Sequence, residues 1–139
     1  MRFFTKNLLY FAIGLFFWSI LFRHFLSYFI EEKFGWGIMI ISLIYGMGCF
    51  LLGWYFGKKD SEDLPLYDIG FRFNFMTFFI CSLVGELWFV FGFNALHEPV
   101  ESVHITTLWW GVGVFVHFIF YLISRKRTIK GLDSKELFE

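Results

Sequence analysis

Ionisable side chains inside long apolar runs are the first places to look for chemistry, because each is costly in hydrocarbon and needs a partner or a task. In this chain they are Arg23, His24, Glu86 and His117, together with the thiols Cys49 and Cys81. Arg23 lies four residues beyond Ser19, the midpoint of the first apolar run, and Glu86 lies three beyond Leu83, the midpoint of the third. At ~1.5 Å of rise per residue the two depths nearly coincide. An intramembrane ion pair between Arg23 and Glu86 is therefore expected, holding one part of a helical bundle to another. The sharper alternative is that the pair belongs to a proton or ion relay.

Cys49, Cys81 and His117 fall two or three residues to the other side of their helix midpoints, so they share a depth. Thiolate and imidazole suit zinc or copper(I), which makes the three a candidate metal set. Against this, cysteine is often a small apolar filler and a lone histidine is often hydrogen-bonded within a bundle. A polar stretch between the third and fourth runs carries His97, Glu98, Glu101 and His104, with Pro99 suited to a first helical position. Glu101 and His104 then share a face and could bind a divalent cation or sense acid, although a solvated cap is the plainer reading. The sequence has no G-x-S-x-G, P-loop, H-E-x-x-H or paired-cysteine motif, so a membrane enzyme ranks third among the readings and no cofactor is implied.

These residues need elements to hold them. Of 139 residues 58% are hydrophobic, 25% are aromatic and 17% are charged. A soluble domain of this length cannot hide so much apolar surface. Four runs, at about 8–30, 36–57, 73–93 and 105–124, reach the roughly 20 residues that a spanning helix requires. They are continuous and lack the alternation of membrane strands, so the expected fold is an all-α integral membrane protein with one domain over 1–139. The first run has a basic start but no small-residue cleavage site after it, and is read as a retained helix.

Basic residues set the expected orientation. Arg2, Lys6, Lys58, Lys59, Arg72, Arg125, Lys126, Arg127, Lys130 and Lys135 fall on one side, ten in all, against Arg23 and Lys33 on the other. The positive-inside rule then puts both termini in the cytoplasm of a bacterial inner-membrane protein. Residues 125–139 form a basic tail, whose lysines and arginines each gain about 1 kcal/mol beside anionic lipid. The zero net charge gives no reason to expect a nucleic-acid partner. The expected partners are the bilayer, another membrane or cytoplasmic protein, and a second copy of the chain.

Residues 40–50 and 105–115 match at five of eleven positions, including the glycine pairs Gly46 with Gly48 and Gly111 with Gly113. This suggests two helical hairpins of the same orientation, with the glycines letting backbones approach near the centre of the bundle. The C-terminal half resembles the bacterial 2TM domain family in Gly70 and Phe71 before a span, in Trp110, Gly111, Gly113 and His117, and in the closing Lys135, Glu136 and Leu137. Asn74 stands where that family often has a histidine. The resemblance implies a pair of membrane helices that stands alone or anchors a regulator. The expected function is thus a structural, regulatory or sensory interaction module, with a transporter or ion-pathway subunit using Arg23 and Glu86 as the alternative.

Overall fold

The structure is a computed structural model that describes residues 4–62 and 64–136, with side chains through residue 128. Its four helices are α1 (Lys6–Glu31), α2 (Gly35–Asp60), α3 (Leu66–Val90) and α4 (Val100–Glu136). All four are long and apolar enough to cross a membrane. We call the end that carries the α1–α2 and α3–α4 connections distal, and the opposite end proximal.

α1 begins where the Thr5 hydroxyl accepts the Leu8 N–H at 3.0 Å, satisfying one of the unpaired donors of the first turn. The same hydroxyl donates to Asp60 at 2.6 Å, and Asn7 donates to the other oxygen of that carboxylate at 2.7 Å, which ties the start of α1 to the end of α2. The buried face of α1 runs Leu8, Phe11, Ala12, Leu15, Ser19, Arg23 and Ser27. Steps of three and four residues keep these side chains on one stripe. α3 presents the matching stripe of Ile69, Phe73, Met76, Ile80 and Val84.

The two stripes meet and form the centre of the bundle. Phe11 packs on Phe73, Ser19 reaches Cys81 and Ser27 reaches Trp88, so contacts advance together along both helices and α1 and α3 run parallel. α2 packs antiparallel on α1, with Gly53 near Phe11 and Gly48 near Trp18. α4 packs antiparallel on α3, from Gly85 beside Val103 to Phe71 stacked on Tyr121. α2 also touches α3, whereas among the described residues α4 makes no close approach to α1. A gap is left on that side.

Both hairpins turn by the same device. At the end of α1, Lys33 has φ 53°, the Phe34 N–H bonds the Phe29 carbonyl at 2.9 Å and the Lys33 N–H bonds Ile30 at 3.1 Å. At the end of α3, Gly92 has φ 70°, Phe93 bonds Trp88 at 3.0 Å and Gly92 bonds Phe89 at 3.0 Å. This pattern closes the last carbonyls of a helix around one left-handed residue. It stops α3 at Val90, before the expected 93, while Pro65 as N-cap lets it begin at Leu66 instead of 73. α4 starts directly after Pro99 and continues through the basic segment expected as a tail.

The repeated glycine segments lie on the two flanking helices, and each packs only one of its glycines, which corrects the expectation that both pairs sit at the centre. A Cβ built on Gly48 would come within 2.5 Å of the Trp18 indole, and one on Gly111 within 3.5 Å of Phe78. Gly46 and Gly113 have nothing within 4 Å of that position. The difference follows from which helix lies opposite: α1 and α3 carry the central stripes, so α2 and α4 can show only one side to them.

Candidate functional site

Arg23 follows Ser19 by one helical turn, so its side chain is carried inward on the central face of α1. Its partner comes from the connection between α3 and α4. That segment leaves α3 at Gly92 and folds back over the bundle, held to α1 by the Leu96 N–H bonding the Glu31 carboxylate at 3.0 Å. Glu98 is thereby turned inward. Its Oε1 accepts from Arg23 Nη2 at 2.6 Å, while Oε2 accepts from the Ser27 hydroxyl at 3.0 Å and the Ala95 N–H at 3.3 Å. Ser27 in turn accepts from the Trp88 indole at 2.9 Å, and the Phe89 ring lies 5.5 Å from the guanidinium carbon.

With side chains only 10% and 5% exposed, Arg23 and Glu98 form a buried, charge-neutral pair. Removing either ion would leave the other buried without a counter-charge, so the pair ties the distal connection to α1. Arg23 Nε remains buried without a hydrogen-bond partner.

One turn deeper, Tyr45 of α2 places its hydroxyl 2.8 Å from Ser19 Oγ and 2.8 Å from Cys81 Sγ. The ring is fixed by Phe22, stacked at 4.1 Å, and the Tyr45 carbonyl accepts from the Trp18 indole at 3.2 Å. Above this polar floor lies a cavity of about 410 Å³, in the gap where α4 stays clear of α1. Phe22, Leu26 and Ile30 form its α1 wall. Ser102, Thr106 and Thr107 line the α4 wall, with Ser82 from α3 below, and Arg23 and Glu98 are the charged residues that border it. Towards the proximal end the space between α1 and α3 is filled by Leu8, Phe11, Leu15, Phe73 and Met76.

Arg23 and Glu86 do not meet, and the expected pair between them is corrected. Glu86 lies on the α4-facing side of α3, beside Gly85, and its Oε2 is 3.2 Å from His104 Nε2. Both of these side chains are largely open, at 40% for Glu86 and 56% for His104. Depth alone matched Glu86 to Arg23, but helix face decides contact, and the faces differ. The polar cluster of the distal connection is likewise divided: Glu98 is inside, whereas His97 and Glu101 are exposed.

The candidate metal set loses its histidine, while Cys49 and Cys81 both lie near Tyr45. His117 Nδ1 accepts from the Asn74 amide at 3.0 Å, and its ring stands edge-on to Phe71. Cys81 is bound into the Tyr45 and Ser19 network, and Cys49 is half-buried on α2. Among the described residues no three His, Cys, Asp or Glu side chains converge to hold a metal ion.

Ser19, Ser27, Tyr45 and Trp88 complete the site and were not singled out from the sequence. The signal was present in α1: Ser19, Arg23 and Ser27 recur every four residues and continue the apolar stripe of Leu8, Ala12 and Leu15. Comparison with protein-family models, with curated proteins and with solved structures finds no match.

Proposed function

We propose that this chain is a small multi-pass protein of the bacterial inner membrane, both termini cytoplasmic, that works as a sensory or regulatory interaction module. The observation that carries this reading is a cavity confined to the distal half, floored by Ser19, Tyr45 and Cys81, above a proximal half packed with aromatic and aliphatic side chains. A blind cavity suits reception of a ligand, whereas a transport path needs continuity between the two faces. The alternative of an ion pathway through Arg23 and Glu86 has less support, because Glu86 does not line the cavity that Arg23 borders. Likeness to 2TM domains in Trp110, Gly111, Gly113 and His117 fits the same role, with the basic end of α4 available to lipid or to a cytoplasmic protein. The module is expected to act by changing what it touches, a membrane protein, a soluble partner or a second copy.

Two measurements test this. Accessibility tagging is expected to place the C-terminus and the α2–α3 connection inside the cell and residues 97–104 outside; an external C-terminus overturns the orientation. In proteoliposomes loaded with a pH-sensitive dye, an imposed proton gradient should decay as in empty vesicles. Rapid collapse that Arg23→Met abolishes would replace the module by the pathway.

A further inference from the structure

A second recess runs along the seam between α1 and α2, an apolar groove of about 530 Å³ that shares no lining residue with the distal cavity. Phe17 and Leu21 of α1 and Leu51 of α2 line it, and Gly14 and Gly48 add no side chain to it. Its geometry is fixed from within: Trp18 lies against Gly48 and donates to the Tyr45 carbonyl at 3.2 Å, and Leu52 sits 3.7 Å from a Cβ built on Gly14. At ~1.5 Å of rise per residue, the stretch from Gly14 to Leu21 is about 10 Å long.

The second observation lies at the proximal mouth of this groove. Steps of four lead back along α1 from Gly14 to Tyr10 and Lys6, and steps of three and four lead along α2 from Gly48 through Leu51 and Tyr55 to Lys59. Such steps keep one helix face, so each helix sets first a tyrosine and then a lysine beyond the apolar groove. All four of these side chains are exposed. Lys59 Nζ donates to the Tyr55 hydroxyl at 2.9 Å, which uses one of its three donors and leaves the phenol O–H free to donate.

The acids of this end are turned away from the mouth. Asp60 is 5% exposed and accepts from Thr5 and Asn7, bonds that also bring the neighbours of Lys6 against the neighbour of Lys59. Asp68 is buried with Arg72. Among the described residues neither Lys6 nor Lys59 pairs with a carboxylate. Two cations without ion-pair partners thus stand at the end of an apolar groove on the outside of a membrane bundle.

We infer that the α1–α2 seam binds an anionic phospholipid, one acyl chain lying in the groove from Tyr55 towards Leu21 and the phosphate held by Lys6 and Lys59. The Tyr10 and Tyr55 hydroxyls then stand at the level of the ester groups. A zwitterionic lipid fills the groove equally well but brings a cation of its own to the two lysines, and a soluble anion leaves the groove unused. The charge at the mouth therefore selects the headgroup, and the groove selects a lipid.

The test uses the full chain in phosphatidylcholine nanodiscs with trace photoreactive phosphatidylglycerol or phosphatidylcholine, both carrying a diazirine in the same acyl chain. Labelling within residues 14–21 and 48–55 is read relative to labelling within residues 108–120 of α4. Phosphatidylglycerol is expected to label the groove about tenfold above phosphatidylcholine, the order set by two lysines beside an anionic headgroup. Lys6→Gln or Lys59→Gln alone should reduce the excess about threefold, and the two together should abolish it without altering phosphatidylcholine labelling. Gly14→Leu, which places a side chain in the groove, should lower labelling by both probes. Equal labelling by the two probes, or an excess that survives the double lysine variant, overturns the inference. Labelling that Gly14→Leu leaves unchanged also overturns it, because the chain then lies elsewhere. Should Gly14→Leu fail to fold, the surface lysine variants decide alone.

Discussion

The two hairpins share a glycine segment and a turn motif, yet they dock on the centre of the bundle differently. In the first, Trp18 fills the space above Gly48 and donates to the Tyr45 carbonyl, so α2 closes on α1 and reaches α3. In the second, Phe78 meets Gly111 at ordinary distance, α4 rests on α3 alone, and the side towards α1 stays open as the cavity. A repeated glycine preserves the opportunity for close approach. The ring on the facing helix determines whether it is used, and the first hairpin sets an indole against its glycine where the second sets a phenyl ring.

The most severe break of this contrast is at Glu98, where the second hairpin's connection holds the first. Glu98→Ala should lower stability by about 3–5 kcal/mol, read as thermal unfolding in detergent, because Arg23 is left buried without a counter-charge. Adding Arg23→Met should recover most of the loss; additive losses would mean that the pair does not couple the hairpins. Next in size is the glycine test. Gly48→Ala should cost about 1–3 kcal/mol through overpacking on Trp18, whereas Gly46→Ala should be neutral or stabilising by up to about 1 kcal/mol as helix propensity alone dictates. Equal effects at the two positions would erase the distinction between packed and unpacked glycines.

The turns separate the hairpins by a smaller amount. Gly92→Ala should cost about 1 kcal/mol and Lys33→Gly should gain up to about 1 kcal/mol, because the same left-handed conformation holds a glycine in one turn and a lysine in the other. Matching signs in thermal unfolding would show that the turns are not equivalent. The smallest effect belongs to the half-exposed pair of Glu86 and His104, for which a double-mutant cycle should return under about 1 kcal/mol. A larger coupling would make the α3–α4 seam as tightly tied as the Arg23 contact.

The number of helices was legible from the lengths of the apolar runs, and Pro99 marked the start of α4. The inward face of α1 was written in the spacing of Ser19, Arg23 and Ser27. What residue spacing could not supply was the partner of Arg23. Matching depths along two helices pointed to Glu86, but the true partner sits in a connection that folds back into the bundle, and re-entry of a loop leaves no periodic mark. The Cys49, Cys81 and His117 set failed for a related reason. Equal depth on three helices says nothing of azimuth, and His117 faces Asn74.

The contact between Arg23 and Glu98 spans 75 residues of sequence, which gives it a meaning in time. At a synthesis rate of 5–20 residues per second, Arg23 leaves the ribosome roughly 4–15 s before the residue that neutralises it. During that interval the guanidinium of the first hairpin has no counter-charge, and its long side chain can keep it solvated by stretching towards water. Arrival of the second hairpin ends the wait. Biogenesis of the bundle therefore has a direction, with the newborn first hairpin as a provisional state and Glu98 as the latch that makes it final.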